Sequence, residues 1–178
     1  DILIVYVEWA PDGRLFYQVQ NRIQTWLDLN VADPATGASQ RLLRETSPAW
    51  VNRLANPHWL PDGTFIWESE RDGFRHRYHY RADGQLIARI TSGEWEVRKY
   101  HGVDARGQVY YSAVADSPIE EHVYRTPLTG GSAQRLTQPG FSHSAEFNPS
   151  CTFFFDTYSN IDAPPHVALR IEFPSFGA

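Results

Sequence analysis

Apolar and polar positions alternate along this chain in short runs with a period close to two, and the runs are broken at regular intervals by turn residues. Alternation of that kind places successive side chains on opposite faces of a strand. One turn signal recurs: "WAPDG" at Trp9 to Gly13, "WLPDG" at Trp59 to Gly63, "VDARG" at Val103 to Gly107 and "FNPSC" at Phe147 to Cys151. Each is preceded by an apolar strand and followed by a more aromatic one, "RLFYQVQNR", "TFIWESER", "QVYYSAVAD" and "TFFFDTYS". A third strand follows in "IQTWLDLNV", "RHRYHYRAD" and "EHVYRTPL", and a fourth in "QRLLRE", "QLIARITSG" and "AQRLTQPG". With Gly13, Gly63, Gly107 and Ser150 taken as equivalent points, the steps are 50, 44 and 43 residues. Four strands per unit at that period is the pattern of a β-propeller blade. The expectation is an all-β chain, a β-propeller segment of about three to four four-stranded antiparallel blades, at residues 2–46, 54–93, 97–139 and 143–171, with a tail at 173–178. Closed propellers have four to eight blades, so an arc of this length leaves open blade edges through which self-association is possible.

The densest stretch is "IWESERDGFRHRYHY", Ile66 to Tyr80. If Asp72-Gly73 is a two-residue hairpin loop, Glu70 faces Arg75, Glu68 faces Arg77, Trp67 faces Tyr78 and Phe65 faces Tyr80. Opposite charges meet and rings meet, each such pair contributing roughly 0.2–1 kcal/mol. The charged side chains Glu68, Arg77, Glu70 and Arg75 are therefore read as structural pairs rather than as an active site.

Composition narrows the function classes. The 178 residues suffice for one sizeable core. The balance of 16 Lys and Arg against 21 Asp and Glu, a formal charge of -5 without a basic run, gives no nucleic-acid footprint. No apolar stretch approaches the roughly 18 residues of a membrane span. The single cysteine, Cys151, excludes a disulfide framework and reads as a small buried hydrophobe. The chain opens on Asp1, contains no Met and shows no signal peptide, so it reads as a piece of something longer.

Catalytic motifs are lacking. "GFSHS", Gly140 to Ser144, does not complete the Gly-x-Ser-x-Gly elbow, and His143 there reads as a turn residue. His76 and His79 are three apart, on opposite faces of a strand, and do not converge on a metal. Glu120-Glu121 reads as a solvated loop, and Glu94 with Glu96 as rim carboxylates in salt bridges. "PDGTFIW" is a poor match to the Asp-box of sialidase-like propellers, since no residue separates Asp62 from Gly63. No cofactor is expected.

Several stretches taken together, "QNRIQTWLDLNVADPATG", "AWVNR", "WESERDGFRHRYHY", "LIARITSGEWEV" and "HVYRTPLTGGSAQRLT", resemble in content and order the propeller domain of the dipeptidyl peptidase IV family, serine peptidases of the prolyl-oligopeptidase type. The resemblance spans residues 2 to 168. It implies an eight-bladed propeller in the parent protein, of which this is the middle-to-late portion, followed by an α/β-hydrolase domain that supplies Ser, Asp and His and removes dipeptides with Pro or Ala in second position. No catalytic residue transfers to this chain, and Glu120-Glu121 lacks the context of the family's amine-binding glutamates. Some members carry an aromatic-Arg pair directly after Trp-Val-x-Arg; here Leu54 and Ala55 stand in those places, leaving Trp50 and Arg53 as the residues expected to face substrate. The implied partners are a peptide substrate and the hydrolase domain of the same parent chain, and the implied compartment is periplasmic or exported. A non-enzymatic propeller that binds protein partners is the rival reading.

Overall fold

The computed structural model describes residues 1–53 and 55–171. Leu54 and the 173–178 tail fall outside them. Every regular element among the described residues is a strand, and the strands form four antiparallel meanders in chain order. The first sheet contains β1 (Ile2–Trp9), β2 (Leu15–Asn21), β3 (Trp26–Ala32) and β4 (Ser39–Thr46). The second contains β5 (His58–Trp59), β6 (Phe65–Ser69), β7 (His76–Tyr80) and β8 (Leu86–Arg89). The third contains β9 (Val97–Val103), β10 (Gln108–Ala113), β11 (His122–Pro127) and β12 (Gln134–Arg135). The fourth has three strands, β13 (Ser142–Phe147), β14 (Phe153–Ser159) and β15 (His166–Ile171). The chain divides into two compact units, Asp1–Gly73 with Arg77–Arg89, and Phe74–His76 with the residues from Ile90 onward.

The recurring turn is built the same way in three sheets. Gly13, Gly63 and Gly107 each donate an N–H to the carbonyl three residues back, on Ala10, Leu60 and Asp104, and each has a positive φ, 83°, 81° and 75°. Only glycine takes that conformation without steric penalty. In the fourth sheet the residue in this position is Cys151, not Ser150: its N–H reaches the Asn148 carbonyl at 2.9 Å and its φ is 53°. The repeat steps are therefore 50, 44 and 44. This last turn is also one residue longer, because Asn148 N bonds Phe153 O where Ala10 N bonds Arg14 O. In the strand that follows, Phe154 is buried while Phe153 and Phe155 lie on the more exposed face.

The hairpin between β6 and β7 is wider than a two-residue loop. Gly73 N donates to Glu70 O at 2.9 Å, so Glu70 to Gly73 is the turn, and the strands resume only at His76. Gly73, at φ 88°, takes the left-handed position that ends the turn, which pushes Arg71 and Asp72 to its tip. Further down the hairpin, Phe65 and Tyr80 stack at 5.5 Å and Arg77 Nη2 lies 2.6 Å from Glu68 Oε2.

The core of the first unit lies between its two sheets. Phe16, Leu27, Leu29 and Val31 pack against Phe65, Trp67, Tyr78 and Tyr80, with Trp59 set edge-on to Phe16 at 4.5 Å. The second unit has a smaller core cluster of Val123, Ala145 and Phe154, flanked by Leu136 and Phe147. Cys151 is buried, its thiol pushed up to about 11 by desolvation and then by the charge of Asp104, which leaves it unreactive.

Candidate functional site

In a meander of four antiparallel strands, the loop between strands two and three and the connector leaving strand four emerge at the same end of the sheet. In the first unit, the connector after β4 and the Glu70–Gly73 turn enclose a cleft of about 380 Å³. Trp50 borders it and is 64% exposed, so its ring is presented to solvent. The connector that carries Trp50 is tied down at several points. Gln20 Nε2 donates to Val51 O at 2.8 Å, Val51 N to Gln24 O at 2.6 Å and Ser47 N to Thr25 O at 3.1 Å. Across the cleft Asn52 Nδ2 donates to Glu70 Oε2 at 2.8 Å.

Beneath it lies Glu45, 6% exposed, whose carboxylate accepts from Trp67 Nε1 at 2.9 Å, Ser69 Oγ at 2.8 Å and Arg71 Nη2 at 2.7 Å. Arg71 also lies over the Tyr78 ring at 4.4 Å. Burial lowers the Arg71 pKa, but Glu45 and Tyr80 outweigh it and hold the guanidinium above its ordinary value. The cleft floor is thus a fixed, charge-paired platform. Arg53 is exposed on the same connector, and its charge reaches Tyr6. Burial, then the Glu8 carboxylate, push the Tyr6 phenol up to about 12 against that opposing charge.

The sequence-derived charge residues fall in different settings. Glu68 and Arg77 are both buried and in contact; Glu68 Oε1 also accepts from Ala55 N at 3.4 Å. Glu70 is at the cleft mouth with Asn52, while the Arg75 carbonyl accepts from the Val97 N–H at 2.9 Å. Glu96 meets Arg98 at 2.9 Å beside a second cleft of about 570 Å³, lined by Phe74, Trp95 and Asp116. Glu120 accepts from His122 Nε2 at 3.1 Å and from Gly140 N at 3.3 Å, and that pairing with His122 lowers its pKa.

His143 is a strand residue, contrary to its reading as part of a turn. Ser142-His143-Ser144-Ala145 alternates out and in, and His143 is buried with Nδ1 2.8 Å from Asp156 Oδ1 and Nε2 2.9 Å from Gln138 O. Arg170 Nε completes the cluster, 3.2 Å from Asp156 Oδ2. The two nitrogens of the His143 ring are taken up by a carboxylate and a carbonyl, not by the neighbouring serines. Among the described residues, no group of three His, Cys, Asp or Glu side chains could hold a metal ion.

Two further features escaped the strand-by-strand reading. His76 Nδ1 meets Thr91 Oγ1 at 3.1 Å, and His122 Nδ1 meets Thr137 Oγ1 at 3.1 Å; both pairs are 15 residues apart. Both Thr residues open a connector, as Thr46 does, and each is followed four places later by an aromatic: Trp50, Trp95 and Phe141. The signal was legible in "TSPAW", "TSGEW" and "TQPGF", and aligning the connectors rather than the strands would have found it.

Repeated four-stranded meanders with short turns at one end and aromatic-bearing connectors at the other define a β-propeller segment. The family described as the dipeptidyl peptidase IV (DPP IV) N-terminal region matches residues 1–165, and this chain belongs to that family. Dipeptidyl peptidase 8 of Mus musculus is 31% identical over 90% of the chain, which covers 24% of that protein. A probable dipeptidyl-aminopeptidase B of Emericella nidulans is 28% identical over 92% of the chain, covering 20% of its own length. The crystal structure of Porphyromonas gingivalis dipeptidyl peptidase 4 superposes with a TM-score of 0.85 at 27% identity, over 96% of this chain and 25% of that one. The chain spans about a quarter or less of the length of these relatives.

Proposed function

We propose that this chain is a wall segment of the propeller of a dipeptidyl-peptidase-IV-type serine exopeptidase. Its task is to confine small peptides and present them to a hydrolase domain carried elsewhere in the parent chain. The contribution is positioning and exclusion, which raise the effective concentration of a correctly oriented substrate without any bond chemistry in the segment itself. The observation that carries this reading is the first cleft: an exposed Trp50 ring on a connector anchored by backbone hydrogen bonds, above a floor fixed by Glu45. A connector backbone anchored beforehand has less freedom to lose when the ring it carries meets a peptide. Arg53, on the same connector, adds a cation for a peptide carbonyl or carboxylate.

The test has two arms. The chain alone, incubated with a Gly-Pro chromogenic anilide, is expected to give no turnover, and measured turnover overturns the division of labour. In the parent enzyme, Trp50→Ala and Arg53→Ala are expected to raise KM several-fold with kcat little changed, the pattern of lost ground-state binding. Unchanged kcat/KM in both variants would remove the substrate role and favour a propeller that only binds protein partners.

A further inference from the structure

The second cleft is bounded like the first but lined differently. Each is enclosed by the connector that enters a sheet and by the turn between that sheet's second and third strands. The second belongs to the third sheet, lies wholly in the second unit and holds about 570 Å³. Sheets precede and follow the third one in the chain, so this cleft is internal to the segment.

Aligned on Thr46 and Thr91, the connectors place Trp95 opposite Trp50 and the buried Ile90 opposite Glu45. Trp50 stands out in solvent, whereas Trp95 is half-buried in the cleft wall. Its ring stacks with Tyr111 at 6.2 Å and with Tyr124 at 6.5 Å, and stands perpendicular to the His76 ring at 5.0 Å. Gly93 makes room for it: its φ is 140°, and a Cβ there would overlap the indole nitrogen. The ring is therefore held in one place before any ligand arrives.

The charges around it do not balance. Arg98 pairs with Glu96 at 2.9 Å and Arg135 with Asp116 at 2.7 Å, but Glu94, exposed beside Trp95, has no ionic partner among the described residues. The Tyr124 phenol, stacked on the same ring, is 3% exposed and its oxygen has no hydrogen-bond partner. Burial, then the charge of Asp116 in the cleft wall, raises its pKa and keeps it neutral, with lone pairs open to a donor. A buried polar atom left open beside a cleft is the mark of a polar ligand. An aromatic surface, an uncompensated carboxylate and an open phenol oxygen together suit an organic cation.

From this lining we propose that the second cleft receives a Lys or Arg side chain of the peptide substrate, beyond its second residue. The proposal rests on the reading of this chain as a wall of the peptide chamber, and adds a charge preference to it. In an enzyme that takes dipeptides from the N-terminus, such a side chain belongs to the part that leaves. Its binding is the same before and during bond cleavage, so it lowers KM and leaves kcat alone.

The test uses the parent enzyme and Gly-Pro peptides in which a single Lys is moved one residue at a time along the leaving part. Each is compared with the same peptide carrying norleucine. At one or two placements Lys is expected to lower KM by about three- to five-fold, the scale of a cation over a partly exposed ring, with the advantage shrinking as salt rises. The Lys-to-norleucine ratio is taken within each variant, so that a general change in activity cancels, and circular dichroism verifies the fold. Glu94→Gln is expected to bring the ratio close to one, and Glu94→Lys to favour a Glu peptide at the same placement. Gly93→Ala, which displaces the Trp95 ring without altering charge, is expected to diminish the Lys advantage. Equal KM for Lys and norleucine at every placement overturns the proposal, as does an advantage undiminished in Glu94→Gln or in Gly93→Ala. Trp50→Ala separates the two readings. A raised KM there with no Lys advantage sinks the cation site alone, whereas unchanged kcat/KM there removes the chamber wall on which the site depends.

Discussion

Glu45 shows how one carboxylate can set the geometry of a whole cleft. It gathers an indole N–H, a hydroxyl and a guanidinium from three places on one hairpin, and each would be left without that acceptor if it were removed. Glu45→Ala is expected to destabilise the chain by about 3 kcal/mol, the scale of an unsatisfied buried donor plus an uncompensated charge, read as a lowered urea midpoint at constant slope. Glu68 and Glu70, two residues apart, are expected to differ sharply. Glu68→Gln leaves the buried Arg77 facing a neutral amide and should cost about 3 kcal/mol or more. Glu70→Gln, at the exposed cleft mouth, should cost less than about 1 kcal/mol. Equal losses in the two variants would contradict this ranking.

At the level of elements, the strands were legible because period-two alternation and the Pro-Asp-Gly turn are local signals. "RLFYQVQNR" and "TFIWESER" announce their faces residue by residue. The turn containing Cys151 was harder, since the feature that matters there is a positive φ, and a cysteine in that position gives no local cue. His143 was misread for a related reason: its partner Asp156 is 13 residues away on the next strand, and the pairing exists only once β13 and β14 are in register. The cleft was only half legible. Trp50 and Arg53 stood out through a resemblance, while Glu45 stayed hidden because its three donors lie 22 to 26 residues downstream. The His–Thr contacts fix where strand three meets the connector after strand four, so Thr91→Val and Thr137→Val should each cost about 1 kcal/mol. Urea melts of the two variants should give similar losses if the two contacts are true repeats of each other.

For the molecule as a whole, acid should act through histidines held neutral in the folded state. Burial, then Arg77, lowers the His58 pKa to about 4, and burial, then Lys99, does the same for His101. The unfolded chain therefore binds more protons than the folded one between the ordinary histidine value near pH 6.5 and about pH 4. Stability is full above that window and declines as pH falls through it, by up to about 1.4 kcal/mol per pH unit for each histidine. Denaturation midpoints measured from pH 7 to 4 should fall steadily, and the variants His58→Gln and His101→Gln should flatten the profile. The first sheet adds a different kind of behaviour. β4 has a neighbour on one side only among the described residues, and an antiparallel edge strand turns alternate amides away from its partner. Deuterium uptake along Ser39–Thr46 should then read as a comb, slow and fast sites in alternation on either side of the irregularity at Leu42, and any strand added at that margin would erase the comb and so record its own arrival.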